Sequence, residues 1–297
     1  MKICVIAVDK EHYTPRRVFE EAKNKKHEVF FTTWSELDFF VKEDGFEIKS
    51  GSNNLGEFDA IFCRNARHVH SEDNQIIDNR YLLRILKMFC DKNGIYLFNR
   101  NFSLMNKFQQ QVFLSVNDIP TLTSYFSKNK KRVENFKINF PVIAKPLEGS
   151  SGRGIFKLKN LNELNSFFKD EYESAHYEIQ EYYEIKSDLR VLFLGGKILG
   201  VMERIPAKGK WITNYSAGGS VDKGNCDSEI KQITKKVVEK TGLSYAGVDI
   251  LKDDKQLRVI EINEFAQFEG FERAFPEINV GEKIIKYIEQ QVLNSNN

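Results

Sequence analysis

Two groups of side chains in this sequence have the types and spacing to do chemistry. The first is Lys145 with the run Glu148-Gly-Ser-Ser-Gly-Arg-Gly154, set between the apolar segments Val142-Ile-Ala144 and Ile155-Phe156. Gly149, Gly152 and Gly154 can take positive φ and turn backbone N–H groups toward an anion. Ser150 and Ser151 add hydroxyl donors, and Lys145 supplies a point charge. The segment reads as strand, phosphate loop, strand. It is not a P-loop, because no Gly-Lys-Ser/Thr follows the glycines, and it is not a dinucleotide turn, because no helix with Gly-x-Gly-x-x-Gly spacing follows. A glycine hairpin beside a surface lysine shares the same local pattern.

The second group lies on Leu257-Arg-Val-Ile-Glu-Ile-Asn263. Strand residues two apart share a face, so Glu261 and Asn263 point the same way, about 7 Å apart, and Ile260 and Ile262 are expected to face the core. A carboxylate and an amide oxygen on an apolar strand suit a hard cation such as Mg²⁺, which takes only a few protein oxygens and fills its other positions from water and phosphates. Asp249, on the preceding strand segment Gly247-Val-Asp-Ile250, completes the set. It shares a face with Glu261 if the turn within Lys252–Gln256 holds an odd number of residues, or if a bulge intervenes. The alternative is an ordinary solvent-facing side of an antiparallel pair.

Strands alternating with helices must position these groups. Lys2–Asp9 is a buried strand of the parallel type. A helix capped by Thr14, with Pro15 in its first turn, runs to Lys26, and strands follow at Glu28–Thr33, Asp59–Cys63 and Ile95–Phe98. Between the last two, a helix from about Asn74 to Lys92 is expected to bury Leu82, Ile85, Leu86 and Phe89. This is a doubly wound α/β domain without a glycine fingerprint. A helix over Leu104–Asn117 carrying Lys107 leads into a small α+β segment with strands near Thr123, on both sides of the glycine loop and at Tyr177–Glu181. Helices are expected near Lys130–Phe136 and at Leu161–Phe168. Gly195-Gly196 then marks a tight hairpin turn between Leu189–Leu194 and Lys197–Arg204. A helix from about Asp227 to Thr241, two strands at Tyr245–Leu251 and Leu257–Asn263, and a last helix burying Ile285, Ile288 and Val292 complete the chain.

A length of 297 residues suits two or three domains with a cleft. The net charge of +2, from 44 basic and 42 acidic residues mixed along the chain, leaves no basic stripe for nucleic acid and no polybasic membrane anchor. Cys4, Cys63, Cys90 and Cys226 are scattered, and the chain opens directly on a strand, which together imply a cytoplasmic protein with reduced thiols.

Taken in order, Lys107, Lys145 with its glycine loop, Gln180-Glu-Tyr-Tyr183, Asp188-Leu-Arg190, Glu203-Arg-Ile-Pro206, Asn214 with Gly218-Gly219, Asp249 and Glu261-Ile-Asn263 resemble the ATP-grasp ligases. The resemblance runs from residue 1 to about 290. It is greatest to the RimK-type α-L-glutamate ligases, with an echo of bacterial glutathione synthetase in Lys145-Pro-Leu-Glu-Gly149 and Arg204-Ile-Pro206. It implies an ATP-grasp fold behind an N-terminal α/β pre-ATP-grasp domain (1–103), with a central small lobe (104–183) and a C-terminal lobe with the metal site (184–297). It implies further that Lys107 and Lys145 contact ATP phosphates under the loop of Gly149, Ser150, Ser151 and Gly152. Gln180, Glu181 and Tyr182 would offer backbone to the adenine edge, Asp188 would lie toward the ribose, and Asn214 would complete the nucleotide contacts. Asp249, Glu261 and Asn263 would hold Mg²⁺, or Mn²⁺ in its place, and Arg190 and Arg204 would stabilise the transferred phosphoryl group and the acyl phosphate.

The implied activity is an ATP-dependent carboxylate–amine ligase working through an acyl phosphate on amino acids, peptides or a protein tail, compatible with a homo-oligomer. The alternatives are a glutathione-synthetase-like small-molecule ligase, a phosphotransferase, and a nucleotide-binding protein without turnover. Two departures from the family lie on the acceptor side: Trp211-Ile-Thr-Asn214 lacks an expected arginine, and Glu264-Phe-Ala-Gln-Phe-Glu-Gly270 replaces a small-residue turn. Glu264, Glu269 and Glu272 are expected to crowd the substrate entrance and to disfavour free glutamate, with Arg64 holding a substrate carboxylate.

Overall fold

The structure, a computed structural model, describes residues 1–43, 45–64, 79–127, 138–148, 154–170, 176–184, 186–209, 218–253 and 256–295. Gly149, Ser150, Ser151, Gly152 and Asn214, and the helix expected near 130–136, lie outside the described residues. The chain forms two compact units. The first comprises Met1–Phe102, Leu243–Tyr245 and Phe265–Asn297, and the second comprises Ser103–Gly242 and Ala246–Glu264.

In the first unit, β1 (Lys2–Ala7), β2 (Glu28–Thr33), β6 (Ala60–Cys63) and β7 (Tyr96–Leu97) form a parallel sheet in the order β2-β1-β6-β7. The apolar run Ile3–Ala7 is buried along its whole length, as expected of a central strand covered on both faces. Helices α1 (Tyr13–Asn24), α2 (Asn79–Asn93), α6 (Glu269–Ala274) and α7 (Val280–Ser295) belong to this unit, and α7 buries Ile285, Ile288 and Val292 as its spacing implied. Two local expectations need correction. Thr14 does not cap α1, which starts one residue earlier; its hydroxyl instead accepts a bond from the Phe268 N–H at 3.4 Å. The buried stripe of α2 is Leu83, Leu86, Phe89 and Cys90, whereas Leu82 and Ile85 are only half-buried. A small antiparallel sheet of β3 (Asp38–Lys42), β4 (Gly45–Ser50) and β5 (Asn53–Asn54) also belongs to this unit.

The second unit has two sheets, the smaller of them antiparallel. The smaller contains β8 (Ser124–Tyr125), β9 (Val142–Pro146), β10 (Phe156–Leu158) and β11 (Tyr177–Glu181) in the order β10-β9-β11-β8. Val142, Ala144, Ile179 and Leu158 from one face pack with Leu164 and Phe167 of α4 (Leu161–Asp170). Alternation therefore puts Ile143, Lys145, Glu178 and Gln180 on the opposite face. The larger sheet runs β14-β13-β12-β15-β16, from β12 (Asp188–Leu194), β13 (Lys197–Ile205), β14 (Ser220–Lys223), β15 (Tyr245–Lys252) and β16 (Leu257–Asn263). Gly195 and Gly196 both take positive φ, 56° and 77°, which closes the β12–β13 hairpin in two residues. Asp227 caps α5 (Ser228–Thr241) through Ile230 N–H, and Gly242 ends the helix at φ 66°.

The outer edge of β16 is covered by α3 (Lys107–Val116) and the chain just after it. Gln110 mimics a neighbouring strand, accepting from Ile262 N at 2.8 Å and donating to Ile262 O at 3.2 Å. Gln111 donates to Ile260 O at 2.8 Å, and Val259 N donates to Pro120 O at 2.8 Å. Both glutamines are buried, so their amides satisfy an edge that would otherwise be an unpaired row of backbone groups.

Candidate active site

The register of β12 and β13 places Asp188 directly opposite Arg204, and Arg190 follows Asp188 by two residues on the same face. Arg204 Nε and Nη2 donate to the two Asp188 oxygens at 2.6 and 2.7 Å, and Nη2 also reaches Asp249 Oδ2 at 2.9 Å. Arg190 grips the same Asp249 through Nε and Nη2, both at 2.7 Å. Asn263 Nδ2 adds a bond to Asp249 Oδ2 at 3.2 Å. Two arginines and two aspartates thus form one neutral cluster, in which Asp188, Arg204 and Asp249 are buried and Arg190 keeps 17% of its side chain exposed.

Burial alone would disfavour charge here, and the pairing reverses its effect. The Asp249 carboxyl loses solvation, but Arg190 and Arg204 hold it below the usual aspartate range. Arg204 is likewise desolvated, yet Asp249 and Asp188 make its guanidinium harder to deprotonate than in water. The resemblance assigned Asp188 to a ribose; in the structure both its oxygens are engaged by Arg204.

Glu261 sits opposite Asp249 in the β15–β16 pair, with Asn263 opposite Gly247. The turn between the strands spans an even stretch, 253–256, and the register is restored by a bulge between Asp249 and Ile250, where Asp249 pairs with Glu261 and Ile250 with Val259. Ile260 is the extra residue. It is half-buried rather than in the core, while Ile262 is buried as expected. The bulge brings the two carboxylates to the same face. Two carboxylates and an amide oxygen on neighbouring strands fit a hard, oxygen-seeking cation such as Mg²⁺. Among the described residues no group of three or more His, Cys, Asp or Glu that could hold a metal ion gathers, so the set here is two carboxylates completed by the Asn263 amide.

On the smaller sheet Lys145 lies opposite Glu178, and its ammonium group bonds Gln180 Oε1, while Gln180 Nε2 donates to Ser124 Oγ at 3.0 Å. Burial lowers the Lys145 pKa and Lys107 lowers it further, against Glu178, Glu261 and Asp188, which raise it. Lys107 opens α3, where Asn106 and Gln109 form a reciprocal capping box, and its N–H donates to Leu147 O at 3.2 Å. The lysines of α3 and β9 therefore act on one another and on Glu178 of β11, and Lys145 also feels Glu261 of β16 and Asp188 of β12. Sequence reasoning passed over Glu178; the signal was a glutamate at two-residue spacing from Gln180.

At the end of β11 the Glu181 and Tyr182 N–H groups donate to Thr123 O at 3.0 Å and Pro141 O at 3.1 Å. The Glu181 carboxylate takes bonds from Asn139 N at 3.2 Å, Asn139 Nδ2 at 2.9 Å and Tyr183 OH at 3.1 Å. Lys157 Nζ lies 3.4 Å from the Tyr182 ring centroid, and the Arg258 guanidinium covers Tyr183 at 4.5 Å.

Arg64 follows β6 in the first unit. Its N–H bonds Ile6 O at 2.9 Å, its carbonyl accepts from Trp34 Nε1 at 3.0 Å, and burial pulls its guanidinium down to about 10. The expected acidic cluster does not form. Glu264 is buried and accepts from Ser103 N at 2.9 Å, Ser103 Oγ and Leu104 N at 3.1 Å. Glu269 pairs with Arg273 at 2.9 Å, and Glu272 takes Tyr13 OH at 2.5 Å, Val280 N at 2.7 Å and Arg17 at 3.6 Å. With their charges met locally, these glutamates give no ground for excluding a glutamate substrate.

Comparison with known proteins agrees with this geometry. The RimK-like ATP-grasp domain matches residues 105–288, and the RimK pre-ATP-grasp domain matches residues 1–78. The tetrahydromethanopterin:α-L-glutamate ligase of Methanocaldococcus jannaschii is 28% identical over 262 residues, covering 83% of this chain and 84% of that protein. The fold is also that of the ATP-grasp ligase PsnB solved with a phosphomimetic variant of minimal precursor, Mg and ADP (TM-score 0.71, 18% identity, 97% of this chain and 98% of that one). The macrocyclase MdnC of Microcystis aeruginosa, solved with the precursor peptide MdnA, superposes equally well (TM-score 0.71, 14% identity, 98% of this chain and 100% of that one). The chain belongs to the RimK-like ATP-grasp family.

Proposed function

We propose that this protein carries out its ligase reaction, ATP-dependent amide-bond formation, on the face of the second unit that presents Lys145, Arg190, Arg204, Asp249 and Glu261. The observation that carries the reading is the bulge in β15–β16, which turns Asp249 toward Glu261 and into the reach of both arginines. A carboxylate substrate attacks the terminal phosphorus of ATP, ADP leaves, and the resulting acyl phosphate is attacked by an amine to give the amide and inorganic phosphate. Two anions must meet for the first bond to form, so cationic side chains have to offset their repulsion. Lys107 and Lys145 bind phosphate oxygens. Arg190, the partly exposed member of its cluster, turns toward the transferred phosphoryl group. Arg204, gripped by two aspartates, holds Asp188 and Asp249 in place and lends its charge to the same region.

Asp249, Glu261 and Asn263 would hold Mg²⁺, which when bound neutralises phosphate charge and aligns attacking and leaving oxygens. Gln180, Glu181 and Tyr182 would read the base, and Arg64 would bind a substrate carboxylate. The substrates are an amino acid or peptide carboxylate and an amine, with glutamate again among the candidates. No described helix is long and apolar enough to cross a membrane, and three of the four thiols are buried and free, which supports a cytoplasmic setting.

The test is mass spectrometry of products after incubation with ATP, Mg²⁺ and pooled amino acids and peptides, with hydroxylamine added in a parallel reaction. An amide product and a hydroxamate are expected. ATP consumption that yields a stable phosphorylated product and no hydroxamate would identify a phosphotransferase instead.

A further inference from the structure

Glu178 is the buried charge that the reaction above does not use. It is 1% exposed on β11, on the side of the sheet away from Val142, Ala144 and Ile179, and the register sets it directly opposite Lys145. Among the described residues its Oε2 finds no hydrogen-bond partner. A buried carboxylate with an unsatisfied oxygen is costly, and an apolar residue at this position would avoid the cost. Its surroundings are the phosphate-binding cations: burial raises its carboxyl pKa above the usual glutamate range and Glu261 adds weakly to the rise, while Lys145 and then Lys107 favour the charged form. Cross-strand neighbours have Cβ atoms about 5 Å apart, so a phosphate bound by Lys145 comes close to this carboxylate.

We propose that Glu178 is a built-in counter-charge for the nucleotide phosphates, drawing Lys145 and Lys107 toward the place of the phosphates when no nucleotide is bound and weakening the hold on a bound diphosphate. The inference rests on the nucleotide reading of this face. It makes a prediction of unusual sign. Loss of a residue that only shapes a site weakens ligand binding, whereas loss of a repelling charge strengthens it, and only for ligands that carry phosphate. Glu178 is the largest of the charges that sustain the Lys145 ammonium, and Glu261 and Asp188 remain to sustain it when Glu178 is replaced.

The experiment is calorimetric titration of ADP and of adenosine, with Mg²⁺ at about pH 8, into the full-length protein and its Glu178→Gln and Glu178→Leu variants. Thermal melts check that each variant is folded. Gln keeps the shape and removes the charge, so it decides the matter if the Leu variant fails to fold. ADP is expected to bind about tenfold tighter or more to the Gln variant, with adenosine unchanged. ADP affinity that is equal or weaker in a folded Gln variant overturns the proposal, as does equal tightening of adenosine. A parent protein that binds no ADP at all overturns the nucleotide reading itself, which is a separate result.

Discussion

Replacing Asp249 by Asn should destabilise the metal-free protein by about 3 kcal/mol. The carboxylate is 3% exposed and accepts from Arg190 twice, from Arg204 once and from Asn263 once. Removing one partner of a buried ion pair costs roughly 3–5 kcal/mol, because the remaining charge is left uncompensated. The lower end applies here for two reasons. Arg204 keeps its bidentate bond to Asp188, and Arg190, with 17% of its side chain exposed, can turn toward water. At roughly 2–4 °C per kcal/mol, the melting temperature should fall by about 6–12 °C. Arg190→Met alone should cost less, since Asp249 retains Arg204 and Asn263. The double variant Arg190→Met with Asp249→Asn should then be less damaging than the two single losses added together, by about 1 kcal/mol or more. The assay is urea and thermal unfolding of all four proteins in the presence of a chelator. If Asp249→Asn melts within about 2 °C of the parent, or if the two losses simply add, the cluster is not an electrostatic unit and the reasoning fails.

Lys145→Ala and Glu261→Ala should each abolish ATP turnover while leaving the far-ultraviolet dichroism and the cooperative melt in place, because neither side chain fills the core; turnover above about a tenth of the parent rate in both would count against the site. Glu264→Ala should cost about 2–3 kcal/mol in denaturant unfolding, since it leaves Ser103 N and Leu104 N without their charged acceptor, at a residue, Leu104, already held at φ 58°. Glu36 is held down to about 2, chiefly by its bond to Lys10 and then by the Thr33 N–H. Its folded value is depressed, so its contribution is fully present above about pH 4.5 and disappears as pH falls toward 2; the stability gap between parent and Glu36→Gln should close over that window, and a gap that persists at pH 2 would contradict the assignment.

The parts of this protein legible in its sequence are those whose information is local. Period-two spacing put Glu261 and Asn263 on one side of β16, paired glycines marked the β12–β13 turn, and the continuous apolar run of β1 marked a central parallel strand. The condition for Asp249 to join Glu261 could also be written in advance as an odd turn or a bulge, but the choice between them depends on how Asp253, Gln256 and the strand edge against Gln110 and Gln111 are held. Side-chain partners were not legible, because they join strands and helices far apart in the chain. Arg190 meets Asp249 across 59 positions, and Tyr13 meets Glu272 across 259. The glutamates after β16 are the case where that mattered. Counted along the sequence, Glu264, Glu269 and Glu272 are three like charges near the substrate end. In three dimensions each has a donor of its own, one of them a backbone pair that fixes the entry to α3 and so the position of Lys107. A charge read from sequence sets the field at a site only after its partners are known. The same rule makes Glu178 informative, since it is buried, feels two lysines and among the described residues still has an oxygen without a donor.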